Sequence, residues 1–127
     1  MINVTKTYLP PFENYTSVLK EAYDAGWVTN NGVLLQRLEE ELKNYLGVKH
    51  LFICTNGTVT LQLALKALNV TGSVITTPFS YVATANSIFW EKCRPVFADI
   101  NAETFCLDAS EVESKISPDT KAILATH

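Results

Sequence analysis

Leu51-Phe52-Ile53-Cys54, then Thr55-Asn56-Gly57-Thr58, then the run from Val59 to Leu68 (VTLQLALKAL) is the stretch that decides the fold. The first segment is a short apolar run suited to a buried strand. The second is a polar turn with a single glycine, and the third is an apolar helix. A strand that turns sharply into a helix leaves unpaired N–H groups at the helix start, on the positive end of the dipole. Such a place binds phosphate or carboxylate readily. Gly57 lets a ligand approach the backbone, and Thr55, Asn56 and Thr58 add short polar side chains. The plainer reading is a tight connection whose polar residues cap the helix. From the local pattern both readings stand.

Working outward, residues 1–12 are expected to be extended, because Pro10-Pro11 forbids an early helix. From Glu13 onward, Tyr15, Val18, Leu19, Ala22 and Tyr23 share one face of an amphipathic helix that Gly26 ends. Trp27-Val28-Thr29-Asn30-Asn31-Gly32 is a polar, turn-rich loop. A second helix carries Leu34, Leu35, Leu38, Leu42, Tyr45 and Leu46 on one side and stops at Gly47. Its Glu39, Glu40 and Glu41 read as a solvated face. Beyond the central stretch, strands are expected at 73–77, 94–100 and 120–126. Helices are expected over about 82–92 and from the Asp108-Ala109-Ser110-Glu111 capping pattern to about Ile116. Strands alternating with helices at this spacing imply an α/β fold with a mainly parallel sheet and right-handed crossovers. Ligands on such sheets bind beyond the carboxyl ends of the strands. Residues 55–58, 78–81, 99–101 and 126–127 all fall at those ends.

Composition bounds the function. The chain of 127 residues is 47% hydrophobic and 18% charged, which suits one ordinary domain with a core. A formal charge of −3 argues against a nucleic-acid partner. No apolar stretch spans a bilayer, and the N-terminus lacks a signal-peptide pattern, so the expectation is a cytoplasmic protein with no membrane partner. Cys54, Cys93 and Cys106 are odd in number and lack metal-ligand spacing, as expected of reduced thiols and no metal site. The Asn-x-Thr triplets at Asn3, Asn14, Asn56 and Asn69 are read as chance. The last residues, Ile123-Leu124-Ala125-Thr126-His127, look like the end of a buried strand, and the expectation is a piece of a larger domain.

The turn at 55–58 is neither a P-loop, since Gly-x-x-x-x-Gly-Lys is missing, nor a dinucleotide fingerprint, since one glycine is present. Phe79 and Tyr81 follow the second expected strand. Either serves as a core residue, or one lies flat on a planar cofactor. Tyr81, at the loop-to-helix junction, is better placed for stacking, and Phe79 beside Pro78 for packing. Asp99 closes a strand at the same edge and reads as a turn cap. His50 lies on the opposite edge. Neither His50 nor His127 has a serine or cysteine arrangement that suggests a nucleophile.

These residues carry a resemblance. Leu9-Pro10-Pro11, Trp27 through Gly32, Leu38-Glu39 with Tyr45-Leu46-Gly47, Thr55 through Thr58, Thr77 through Ala85, Pro95 through Ile100 and Thr120 through Ile123 occur in this order. Together they resemble the N-terminal part of the DegT/DnrJ/EryC1/StrS family of sugar aminotransferases. The resemblance implies part of the three-layer α/β/α large domain of fold-type I pyridoxal-phosphate enzymes. Helices would occupy residues 1–47 and strand–helix units 48–127, with a smaller C-terminal domain beyond. It implies pyridoxal 5'-phosphate as cofactor and transfer of an amino group from an amino acid, usually glutamate, to a nucleotide-linked keto-sugar. It also implies a homodimer or larger assembly. By the same resemblance Gly57 and Thr58 hold the cofactor phosphate and Tyr81 stacks on its ring. Trp27, Thr29, Asn31 and Gly32 belong to a loop near the substrate. The Schiff-base lysine and the aspartate that pairs with the pyridine nitrogen lie, in this family, beyond the equivalent of His127. Lys20, Lys66 and Lys92 are discounted, and the expectation is that this chain alone is not catalytically competent. The alternative is a non-enzymatic ligand-binding or assembly module derived from the fold. A weaker third reading is an unrelated α/β enzyme that uses the same turn for another phosphate ester.

Overall fold

The computed structural model describes residues 4–126. The chain divides into two compact units, residues 1–53 and 54–127.

In the first unit α1 (Phe12–Ala25) and α2 (Val33–Leu46) pack on each other. Pro11 precedes α1, and its carbonyl accepts from Asn14 and Tyr15 N–H, so the helix starts where proline stops forbidding it. Gly26 and Gly47 end the two helices in the left-handed conformation, at φ 64° and 66°. Glycine adopts that conformation without a Cβ penalty. Arg37 of α2 donates to Glu21 of α1 at 2.8 Å, and Lys20 pairs with Asp24 along α1. All these charges are exposed, so each pair contributes at most about 1 kcal/mol.

In the second unit α3 (Gly57–Ala67), β1 (Ser73–Thr76), α4 (Ala83–Trp90), β2 (Arg94–Phe97), α5 (Ala109–Lys115) and β3 (Thr120–Ile123) follow in order. The three strands are parallel in the order β2-β1-β3. Central β1 is buried along its whole length. Its side chains alternate between faces, as a strand's must. Val74 packs with Leu65 of α3, Ile88 of α4 and Cys93. Ile75 packs with Ala98 and with Val112 of α5. Helices thus cover both faces, the three-layer α/β arrangement that a parallel sheet requires. Full burial of Val74, Ile75 and Ile88 stabilises the unit by about 1.5–3 kcal/mol each. Between Ser73 and Val74 the β3 register slips by one residue, so that Val74 faces Ala122.

Four expectations need correction. Residues 51–54 form no strand. A strand is defined by its ladder, and β1's two sides are taken by β2 and β3, while residues 51–54 join neither outer edge among the described residues. Phe52 is accordingly 76% exposed. The third strand ends at Phe97 instead of Ile100, because the Asp99 side chain accepts the Ile100 N–H and the Asp99 carbonyl accepts the Asp108 N–H. The fourth strand ends at Ile123, although Leu124 N–H still reaches Ile75 O at 2.8 Å. Finally, α3 begins two residues earlier than expected, at Gly57, because Asn56 caps it. The reading of His127 falls outside the described residues.

Candidate functional site

The first turn of α3 is built by Asn56. Its backbone is extended, at φ −163° and ψ 165°, as an N-cap residue's is. Its side-chain oxygen accepts Val59 N–H at 3.0 Å, and its carbonyl accepts Thr60 N–H at 3.3 Å. The Thr60 bond is the first regular helical one, and the Asn56 side chain satisfies one of the donors that a helix start leaves unpaired. The Gly57 and Thr58 N–H groups find no acceptor among the described residues. The cap reading and the anion reading therefore divide the turn between them: Asn56 caps, and Gly57 and Thr58 remain open. A Cβ built on Gly57 meets no atom within 4 Å. Gly57 is therefore not needed for packing among the described residues. A phosphate fits such a place, where adjacent N–H groups point outward along the helix dipole.

Tyr81 stands between the carboxyl end of β1 and the start of α4. Its carbonyl accepts Thr84 N–H at 3.0 Å, so its backbone forms the entry to α4. Its ring is 80% exposed and takes no part in the core, which is what a stacking platform for a planar ligand needs. On the other side of Tyr81, Thr77 Oγ1 accepts Phe79 N–H at 3.1 Å, and Ser80 Oγ lies 3.4 Å from Thr77 O. α3 and α4 pack side by side, α3 delivering the chain to the amino end of β1 and α4 leaving from its carboxyl end.

Phe79 is not a core residue either. It is 58% exposed, and its ring lies 6.0 Å from that of Phe105, with 26° between the planes. Sequence reading missed Phe105. The signal for its loop was Asn101, a residue type that bonds its own downstream backbone. Asn101 Oδ1 accepts Glu103 and Thr104 N–H, and Asn101 O accepts Phe105 N–H at 2.9 Å. The resulting turn puts Phe105 at φ 59°.

Behind that loop, Asp108 caps α5. Ser110 donates its hydroxyl at 2.6 Å and its N–H at 2.8 Å to Asp108 Oδ1. These bonds hold the Asp108 carboxyl below the ordinary carboxylate range. The Asn101 amide and Glu111 N–H add to the effect, and partial desolvation opposes it. The reciprocal half of the capping box is not made, since the Asp108 N–H is spent on Asp99 O.

In the first unit, the loop carrying Trp27, Thr29, Asn31 and Gly32 is closed on itself. Trp27 Nε1 donates to Asn30 O at 2.8 Å, and Gln36 Nε2 donates to Asn31 O at 3.0 Å. Asn31 takes the left-handed conformation at φ 56°. A Cβ on Gly32 would come 3.2 Å from Trp27 O, so glycine permits the close approach. Trp27, Asn31 and Gly32 line one shallow hollow with Ala25, Val33 and Gln36. The lysines discounted from sequence lie elsewhere. Lys20 is paired on α1, and Lys66 and Lys92 border a groove with Trp90 at the far ends of α3 and α4.

Comparison with known proteins agrees with this architecture. The model of the DegT/DnrJ/EryC1/StrS aminotransferase family matches residues 12–127, and the chain belongs to that family. It is 43% identical over 126 residues to the dTDP-4-amino-4,6-dideoxy-D-glucose transaminase of Escherichia coli, covering 99% of this chain and 34% of that protein. It is 40% identical over 116 residues to the GDP-perosamine synthase of Vibrio cholerae, covering 90% of this chain and 32% of that protein. The chain thus spans about a third of the length of the curated relatives it matches. Among solved structures, AtS13 from Actinomadura melliaura superposes with a TM-score of 0.90 at 28% identity, over 98% of this chain and 34% of that one. NtdA from Bacillus subtilis, a structure with bound cofactor PMP, superposes with a TM-score of 0.84 at 32% identity, over 90% of this chain and 26% of that one. The fold is therefore part of the α/β architecture of fold-type I aminotransferases. No described helix is long and apolar enough to cross a membrane, and the three cysteines are free.

Proposed function

We propose that this chain is the N-terminal part of the cofactor-binding domain of a sugar-nucleotide aminotransferase, with helices over 1–47 and strand–helix units over 48–127. In this reading Gly57 and Thr58 hold the phosphate of pyridoxal 5'-phosphate through their N–H groups. Tyr81 stacks on the ring, and Trp27, Thr29, Asn31 and Gly32 belong to a loop near the substrate. The observation that carries the reading is the open pair of N–H donors at the start of α3, in a chain of this family. The exposed Tyr81 ring supports it.

When bound, pyridoxal phosphate supplies the electron sink through which an amino group passes between an amino acid and a keto-sugar. The chain's own part is binding and orientation. Two fixed N–H donors set the phosphate end, and an aromatic face sets the tilt of the ring. No residue of this chain is assigned the proton transfers, and the chain alone is expected to show no amino-group transfer. The intact protein is proposed to act in the cytoplasm as a homodimer or larger assembly.

Gly57→Val tests the phosphate assignment. A Cβ at Gly57 meets no protein atom within 4 Å, and an unchanged urea midpoint in the variant separates a clash with the ligand from damage to the fold. Equilibrium dialysis against pyridoxamine 5'-phosphate is expected to show at least about tenfold weaker binding, roughly 1.4 kcal/mol. Unchanged affinity removes this turn from the site.

A further inference from the structure

Phe79 and Phe105 are large apolar side chains, 58% and 61% exposed, that nonetheless lie against each other. They belong to different loops of the same unit. Phe79 sits two residues before Tyr81, in the connection from β1 to α4. Phe105 closes the turn that Asn101 organises. That turn is rigid by construction: Asn101 Oδ1 takes two N–H groups, Asn101 N–H donates to Cys106 O at 2.9 Å, and Cys106 N–H donates to Thr104 Oγ1 at 3.3 Å. Asn101 Nδ2 also reaches the capping carboxylate of α5 at 3.4 Å. The β1–α4 connection has fewer ties of its own, chiefly the bond from Phe79 N–H to Thr77 Oγ1.

We propose that Phe105 is a positioning residue for Tyr81: its ring, presented by the Asn101 turn, stacks on Phe79 and fixes the loop that sets the angle of the Tyr81 ring. The inference rests on the reading of Tyr81 as the ring-stacking residue. The left-handed backbone of Phe105 fits such a role. A bulky residue adopts φ 59° only when its surroundings demand it, and here it aims the ring at Phe79 instead of into the core. On its downstream side Tyr81 is anchored by α4 through the Thr84 N–H. The stack supplies the anchor upstream.

The test uses the 127-residue chain with Phe105→Leu, which keeps an apolar side chain and loses the ring, and Phe105→Tyr, which restores the ring. Amide hydrogen exchange reads the loop directly. Phe105→Leu is expected to speed exchange at Phe79, whose N–H is bonded to Thr77 Oγ1, by about two- to tenfold, the range an aromatic pair's stacking supports. Phe105→Tyr is expected to restore the original rates, and Ala98, whose N–H donates to Thr76 O beside the sheet, to stay unchanged in both. Unaltered exchange at Phe79 in Phe105→Leu, or equal disturbance in Phe105→Tyr, overturns the proposal. Dialysis against pyridoxamine 5'-phosphate reads the consequence. Phe105→Leu is expected to weaken binding about threefold or more in the Tyr81 background and to add nothing in Tyr81→Ala. Additive losses mean that Phe105 does not act through Tyr81. If Tyr81→Ala itself leaves affinity unchanged, the stacking assignment fails, while the exchange result still decides whether Phe105 holds the loop.

Discussion

Asn56 serves the start of α3 twice, through its side chain to Val59 and through its carbonyl to Thr60. Asn56→Ala is expected to lower stability by about 1 kcal/mol, read as a fall in the urea midpoint without a change in slope. A loss below a few tenths of a kcal/mol would mean that the cap is not made in solution. Asp108 makes the comparable cap at α5 but titrates. Because its folded pKa is lowered, it contributes stability above the unfolded carboxyl pKa. That contribution is lost as pH falls through the folded value. Urea midpoints measured from neutral pH downward are expected to fall more steeply in the native chain than in Asp108→Asn. Parallel curves would contradict the sign. The α5 cap was legible from the Asp108-to-Glu111 pattern, while at α3 the sequence offered only a group of polar residues, 55–58, before a helix expected from Val59. Which donor each carboxyl or amide takes was not legible, since Asp108's own N–H is diverted to a carbonyl nine residues upstream.

At the scale of elements, the starts of all three strands meet at Gly72. Its carbonyl accepts Arg94 N–H at the head of β2, and Ser73 N–H donates to Asp119 O just before β3. Arg94 and Asp119 pair over the junction at 2.8 Å. Gly72 has φ 128°, and a Cβ there would lie 2.7 Å from Asp119 O. Gly72→Ala is therefore expected to cost at least about 1–3 kcal/mol and to lower the melting temperature by several degrees. A variant as stable as the parent would show that the junction relaxes freely. The same scale explains what was readable. β1, with Val74 and Ile75 buried on opposite faces, announces itself by β-branched residues between Gly72 and Pro78. Residues 51–54 have an equally apolar pattern and form no strand, because pattern reports burial potential and a ladder needs a partner. The amphipathic faces of α1 and α2 were legible from helical period alone.

For the molecule as a whole, three observations bear on function together: the parallel sheet with helices on both faces, the open donors at Gly57 and Thr58, and the exposed Tyr81. The candidate residues were legible because motif order survives in a single sequence. Phe105 was not, because its link to Phe79 crosses 26 positions and depends on how two loops meet. The central claim is that the start of α3 holds a cofactor phosphate. Pyridoxamine 5'-phosphate is the suitable probe, since it has no aldehyde to react with lysines at random. A residue-resolved 15N titration of the chain with it is predicted to shift the Gly57 and Thr58 amides first and saturably, with inorganic phosphate moving the same two amides at higher concentration. Saturation with those amides unmoved, or with the main shifts in the groove of Lys66, Trp90 and Lys92, would contradict the account.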